Sequence, residues 1–154
     1  MEITDLITPG SVVANLRVAG KKQALAELAR RAAVTTGQPE RQILDVLTER
    51  ERLGTTGVGQ GIAIPHGKLA GLERVTGLFA RLEKPIDFEA IDDQPVDLIF
   101  LLLAPEGAGT DHLKALARVS RLLRDRAVCE KLRGTDSAVA LYALLTEHPA
   151  SHAA

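Results

Sequence analysis

The sequence predicts an α/β fold, a three-layer sandwich in which a central mixed β-sheet is covered by helices on both faces. Three observations predict it. Val96 to Ala104 is so nearly all apolar that a strand there must be covered on both faces. Two further β-prone stretches, Val75 to Glu83 and Ile86 to Phe88, supply neighbours for it. Segments with apolar residues at helical spacing and charges opposite supply the covering layers.

Taken in order, a short apolar stretch at Val12 to Leu16 precedes Lys21 to Val34, where Leu25, Leu28, Ala29 and Ala32 form one face of an amphipathic helix. Gly37 ends it. Pro39 suits the first turn of a second helix, whose inward stripe is Ile43, Val46 and Leu47 and which Gly54 closes. Thr55 to Gly61 is a Gly-rich connection, and Ile62-Ala63-Ile64-Pro65-His66 is a short strand ended by its proline, with His66 at the carboxyl end. After the β-prone stretches, Leu113, Leu116, Ala117, Ser120 and Leu123 define a third long helix with Thr110 as its N-cap. Asp125 to Arg133 and Ser137 to Glu147 make two shorter helices. With no repeat or linker, residues 1–148 are expected to form one domain and residues 149–154 a loose, disordered tail.

Composition narrows the functional classes. The 154 residues are 45% hydrophobic and 25% charged, the balance of an ordinary soluble globule and not of a disordered or fibrous chain. An apolar run such as Leu98 to Ala104 is far shorter than the roughly 20 residues a membrane-spanning helix requires. Acids stand in the opening residues where a secretory signal would place bases, so the expected compartment is the cytoplasm, with no membrane insertion. The lone Cys129 has no disulfide or CxxC partner and reads as a small buried hydrophobe. A formal charge of −1 and only three Phe and one Tyr speak against nucleic acid as a partner.

Position separates the four histidines. His148 and His152 fall in the tail and read as surface residues. His66 follows a strand, is flanked by Pro65 and Gly67, and faces the glycines at 57, 59 and 61; ligand sites collect at such strand ends, where glycine lets backbone N–H groups approach an anion. A structural histidine is the alternative. The glycine run is GxGxG and continues into strand-like residues, so it fails the dinucleotide pattern, and Gly61 to Lys68 fails the Walker spacing and has Leu69 at the Ser/Thr position. At about 100° per residue, Arg50 falls in the middle of the second helix's apolar stripe, where a guanidinium needs an anion unless it snorkels at the helix end. His112 faces the core side in the first turn of the third helix. A helix N-terminus biases it toward the neutral form, able to donate to a phosphate, the alternative being a core histidine satisfied by backbone. Together the three describe an anion site. No carboxylate lies between Gly57 and Lys68, no histidine spacing matches a metal motif and GxSxG is absent, so no metal and no cofactor is expected.

The segment Arg50 to Lys68, with Gly57-Val58-Gly59-Gln60-Gly61 and Pro65-His66-Gly67 in it, resembles the active-site segment of the mannitol/fructose-class enzyme IIA (EIIA type-2) of the bacterial phosphotransferase system. It looks most like the nitrogen-regulatory group. The resemblance runs from about Asp5 to Glu147 and includes Gln94-Pro95-Val96-Asp97-Leu98 and His112-Leu113. It implies that His66 is phosphorylated on Nε2 by an HPr-like carrier, that His112 hydrogen-bonds the phosphoryl group, and that Arg50 helps to neutralise it. Thr55, Thr56, Gly57, Gly59 and Gly61 would form a phosphate-binding loop. Gln60 and Arg52 depart slightly from the family's pattern. The implied function is a phosphohistidine phosphocarrier that signals to regulatory target proteins by its phosphorylation state; a sugar-specific IIA passing phosphate to a IIB protein is the alternative. A binding module with structural histidines and a metal-dependent hydrolase are competing classes. Two surfaces could dock partners: Lys114, Arg118 and Arg121 along one helix face, and the acidic stretch of Glu83, Asp87, Glu89, Asp92, Asp93 and Asp97.

Overall fold

The computed structural model describes residues 1–147; the expected tail at 149–154, with His148 and His152, lies outside the described residues. Two 3-10 turns, Ile3–Asp5 and Pro9–Ser11, lead into β1 (Val12–Leu16), α1 (Lys21–Thr36) and α2 (Glu40–Arg52). Then come β2 (Gly57–Gly59), β3 (Ile62–Ala63), β4 (His66–Leu69), β5 (Thr76–Ile86) and β6 (Val96–Pro105). Helices α3 (Thr110–Leu123), α4 (Arg126–Arg133) and α5 (Ala138–Thr146) complete the described chain. The strand order is β1-β5-β6-β3-β2, with β4 also paired to β6. The sheet is mixed: β1 runs parallel to β5, β5 antiparallel to β6, β3 and β4 parallel to β6, and β2 antiparallel to β3.

β6 is central, and its side chains sort by the two-residue period of a strand. Leu98, Phe100, Leu102 and Ala104 join one core with Val119, Leu122, Leu132, Leu141 and Leu145 of α3 to α5. Ile99, Leu101 and Leu103 join the other with Leu25, Leu28, Ile43 and Leu47 of α1 and α2. An apolar run with no alternation is thus what a strand between two helical layers requires. Helix ends follow local chemistry. Gly37 takes φ +74° and returns its N–H to Ala33 O at 2.9 Å. Asp125 Oδ1 accepts from Ala127 N at 3.0 Å, and Ser137 Oγ accepts from Ala140 N at 3.4 Å.

Five local expectations need correction. The strand expected over Ile62 to His66 is broken at Ile64 and Pro65, because proline has no N–H for the ladder; its carbonyl still accepts from Leu102 N at 2.9 Å. His66 therefore opens β4, level with Leu102, and does not close a strand. The glycine-rich connection contains a strand of its own, β2, in a hairpin with β3. One strand, β5, runs from the first β-prone stretch through Ile86 with a register shift between Arg81 and Ile86, and Asp87 and Phe88 lie beyond its end. Thr110 is the first helical residue of α3, and Gly109, at φ +60°, holds the cap position expected for it. Pro39 likewise caps α2 and stands just outside its first turn.

Candidate functional site

Three elements bring their ends to one place. α2 delivers Arg50 in its last turn, β4 begins with His66, and α3 carries His112 in its first turn. His66 and His112 lie with ring centroids 5.6 Å apart and planes inclined at 47°. Arg50 Nε stands 3.4 Å from His66 Nε2, and Arg50 Nη1 donates to Gly54 O at 2.9 Å. The three residues singled out by helical spacing and strand position are thus adjacent in space.

The proton on His66 can be assigned from its partners. Nδ1 is 2.8 Å from Ile64 O, and a carbonyl only accepts, so Nδ1 carries the hydrogen. Nε2 then holds the lone pair, consistent with a guanidinium N–H pointed at it. That lone pair can attack an electrophile without a general base. Arg50 is half-buried, and its spare charge is not taken up by a carboxylate among the described residues; its partners are a neutral ring and a carbonyl. A positive centre that is oriented yet uncompensated favours an incoming anion.

His112 is held below the ordinary histidine value, first by burial and then by the nearby charges of His66 and Lys68. Its Nδ1 is buried without a hydrogen-bond partner among the described residues. Lys68 is exposed, and the two-residue period of β4 puts it on the same side of the strand as His66. The spacing of His66 and Lys68 was therefore a usable sign that the site has a second cation beside Arg50, although sequence reasoning attached no role to Lys68.

The glycine-rich loop has a different structural account from the phosphate-binding one. Thr56 N is taken by Glu51 Oε1 at 3.0 Å, and Gly57 N by Thr55 Oγ1 at 3.0 Å, while Thr55 Oγ1 itself donates to Phe88 O at 3.1 Å. Gln60 N goes to Asp92 Oδ2 at 2.9 Å. A Cβ at Gly57 would come within 2.9 Å of the Ala90 backbone, and Gly59 and Gly61 have φ of +104° and +81°. These glycines are explained by hairpin geometry and close packing. The N–H groups of Thr56 and Gly57 are already in use and are not free for an anion.

Glu51, to which sequence reasoning gave no role, organises this loop. Its side chain is 6% exposed, accepts from Thr56 N and Thr56 Oγ1, and pairs with Lys21 Nζ at 3.0 Å. Lys21 in turn reaches Glu89 at 3.3 Å and lies 4.9 Å over the Phe88 ring. Neither residue is conspicuous in the sequence, since one charge more in a charged helix end carries no periodic signal.

Neither expected docking surface is a row of free charges. Arg118 is 8% exposed and faces Glu2 at 3.8 Å, so Lys114, Arg118 and Arg121 do not make one exposed basic row. In the acidic stretch, Asp97 is tied to Arg133 at 2.9 Å, and Asp92 accepts from Gln60 N and Gln94 N, bonds that lower its pKa. Cys129 is buried, its Sγ donates to Leu123 O at 3.2 Å, and burial pushes its thiol pKa up. No helix among the described residues is long and apolar enough to cross a membrane.

Residues 5–148 match the family model described as the phosphoenolpyruvate-dependent sugar phosphotransferase system, EIIA 2. The chain belongs to the EIIA 2 family. Among curated members, a nitrogen regulatory protein of Bradyrhizobium diazoefficiens is 61% identical over 153 residues, covering 99% of this chain and all of that protein. A PTS system fructose-specific EIIA component of Haloferax volcanii is 38% identical over 151 residues, covering 96% of this chain and 98% of that one. Among solved structures, the nitrogen regulatory protein IIA-Ntr from Neisseria meningitidis superposes with a TM-score of 0.88 at 35% identity, covering 94% of this chain and 99% of that chain. The EIIA 2 fold is therefore the frame within which Arg50, His66 and His112 meet.

Proposed function

We propose that this EIIA 2 protein is a cytoplasmic phosphohistidine carrier in which His66 Nε2 accepts a phosphoryl group from the phosphohistidine of an HPr-like protein. The observation that carries the reading is the state of the His66 ring. Its Nδ1–H is tied to Ile64 O at 2.8 Å, while Nε2 is left with its lone pair facing Arg50. In the transfer, Nε2 attacks phosphorus as the donor's P–N bond breaks, and the bonding pair returns to the donor's imidazole. One phosphoramidate replaces another, so the step is close to balance and runs in both directions. A loose transition state needs positioning and charge stabilisation above all. Arg50 supplies an oriented guanidinium, Lys68 a further positive charge, and His112 a neutral ring able to donate to the phosphoryl oxygens. The loop of Thr55, Thr56, Gly57, Gly59 and Gly61 shapes the backbone that follows Gly54, whose carbonyl accepts from Arg50, with Thr56 anchored to Glu51 and the glycines forming the hairpin.

The 61% identity to a nitrogen regulatory protein supports a chain that reports its phosphorylation state to regulatory target proteins. The likeness to a fructose-specific EIIA component favours, more weakly, transfer onward to a IIB protein. Incubation with phosphoenolpyruvate, enzyme I and an HPr-like donor tests the carrier reading. An acid-labile, base-stable phosphate is expected on His66 and none on His66→Ala; normal uptake by that variant would reject the assignment. Chasing the labelled protein with a fructose-type IIB domain separates the branches, with phosphate retained on the nitrogen-regulatory reading and passed on for the sugar one.

A further inference from the structure

Gly67 sits directly after His66 on β4, paired with Leu103, and α2 crosses over it. A Cβ at Gly67 would stand 2.3 Å from Val46 Cγ1 and 3.8 Å from Val46 Cβ. Carbon atoms in ordinary contact are separated by about 3.5–4.0 Å, so the clash amounts to more than about 1 Å. Val46 turns away only at a cost, because a β-branched side chain in a helix holds one preferred χ1 rotamer. Val46 lies one helical turn before Arg50, on the same face of α2. The turn that seats on Gly67 is thus next to the turn that delivers the guanidinium. The Arg50 Nε to His66 Nε2 contact, at 3.4 Å, is already near the outer limit of a hydrogen bond and has no reserve for a displaced helix.

We infer that Val46 and Gly67 are a positioning pair: the side chain of Val46 fills the notch left by the missing Cβ of Gly67, and this contact sets the separation of Arg50 from His66. The rate consequence rests on the carrier reading above; the geometric one does not. Any side chain at position 67 lifts the C-terminal half of α2 and withdraws Arg50 from Nε2, while His66 keeps its bond to Ile64 O.

The test uses the full chain. Gly67→Ala is expected to fold, and to slow phosphoryl uptake from an HPr-like donor about 100-fold, the cost of a misplacement near 1 Å. Gly67→Ala combined with Val46→Ala, which removes Cγ1, restores most of the rate. Arg50→Ala added to Gly67→Ala costs little more, since the guanidinium is already withdrawn. A readout that needs no donor is the nitrogen resonance of His66 Nε2, which shifts alike in Gly67→Ala and Arg50→Ala and returns in the Val46→Ala combination. Wild-type uptake by Gly67→Ala, losses from Gly67→Ala and Arg50→Ala that multiply, or no recovery with Val46→Ala would overturn the pair. If the wild-type chain takes up no phosphate, the carrier reading fails and the resonance alone decides the pair: parallel shifts uphold it, and an unmoved resonance in Gly67→Ala rejects it. Should Gly67→Ala not fold, Gly67→Ala with Val46→Ala must still fold and transfer, and its failure to do so also rejects the pair.

Discussion

Replacing Lys21 by Met removes the one cation that pairs with Glu51 among the described ion pairs and leaves the carboxylate in place, 6% exposed, against Thr56. Breaking a buried pair from one side costs about 3–5 kcal/mol, because the remaining charge is neither solvated nor neutralised. Lys21 is itself 16% exposed, and Glu51 keeps two hydrogen bonds from Thr56, which puts the expectation at the lower end, about 3 kcal/mol. For a chain of this length that corresponds to a fall in Tm of about 6–12 °C. Urea unfolding followed by circular dichroism measures it as a shift in midpoint at constant slope. Adding Glu51→Gln to Lys21→Met removes the stranded charge, and the double variant should regain most of the loss. A Lys21→Met midpoint within about 0.5 kcal/mol of wild type, the range of ordinary surface substitutions, would refute a buried charged anchor. Phosphoryl uptake should fall further in Thr56→Val than in Lys21→Met, since Thr56 Oγ1 ties Glu51 to the segment that follows Gly54, the second partner of Arg50, and Lys21→Met leaves that bond in place.

Arg50→Ala and His112→Ala should each keep the fold and slow phosphoryl exchange by about 10²–10³-fold, the range for losing one oriented transition-state donor; rapid-quench transfer assays at wild-type rate would show that neither contributes. His112 also gives stability a pH dependence. Its folded pKa lies below the ordinary value, so the unfolded chain binds the extra proton first. The stabilisation is complete above about pH 6.5 and is lost as pH falls from there toward the folded value. Urea midpoints between neutral and mildly acidic pH should therefore drop more steeply for wild type than for His112→Gln, and parallel curves would contradict this.

The two-layer burial of β6 and the helical faces of α1, α2 and α3 were readable because hydrophobic periodicity is a local pattern that survives any tertiary arrangement. The same geometry turned Arg50 and His112 inward, and the Pro65-His66-Gly67 segment beside the glycine run marked the third member, although His66 opens β4 where a strand end was expected. Where reading failed, the competing effects were mostly long-range. The glycine loop becomes a hairpin because Ala90 and Asp92, some thirty residues away, close on it, whereas the break at Pro65 is local, a missing N–H that divides the expected strand into β3 and β4. Arg118 looked like part of an exposed row and is buried beside Glu2, from the other end of the chain.

Residue identity alone therefore specified the layers, the apolar faces and the type of chemistry available to two histidines and an arginine, since those properties depend on spacing along one chain segment. It left open which imidazole nitrogen keeps its proton, which loop N–H groups are already engaged, and how near α2 may approach β4. Those depend on distances between segments remote in sequence. Ile64 O settles the first, Glu51 and Thr55 the second, and the absence of a single carbon at Gly67 the third.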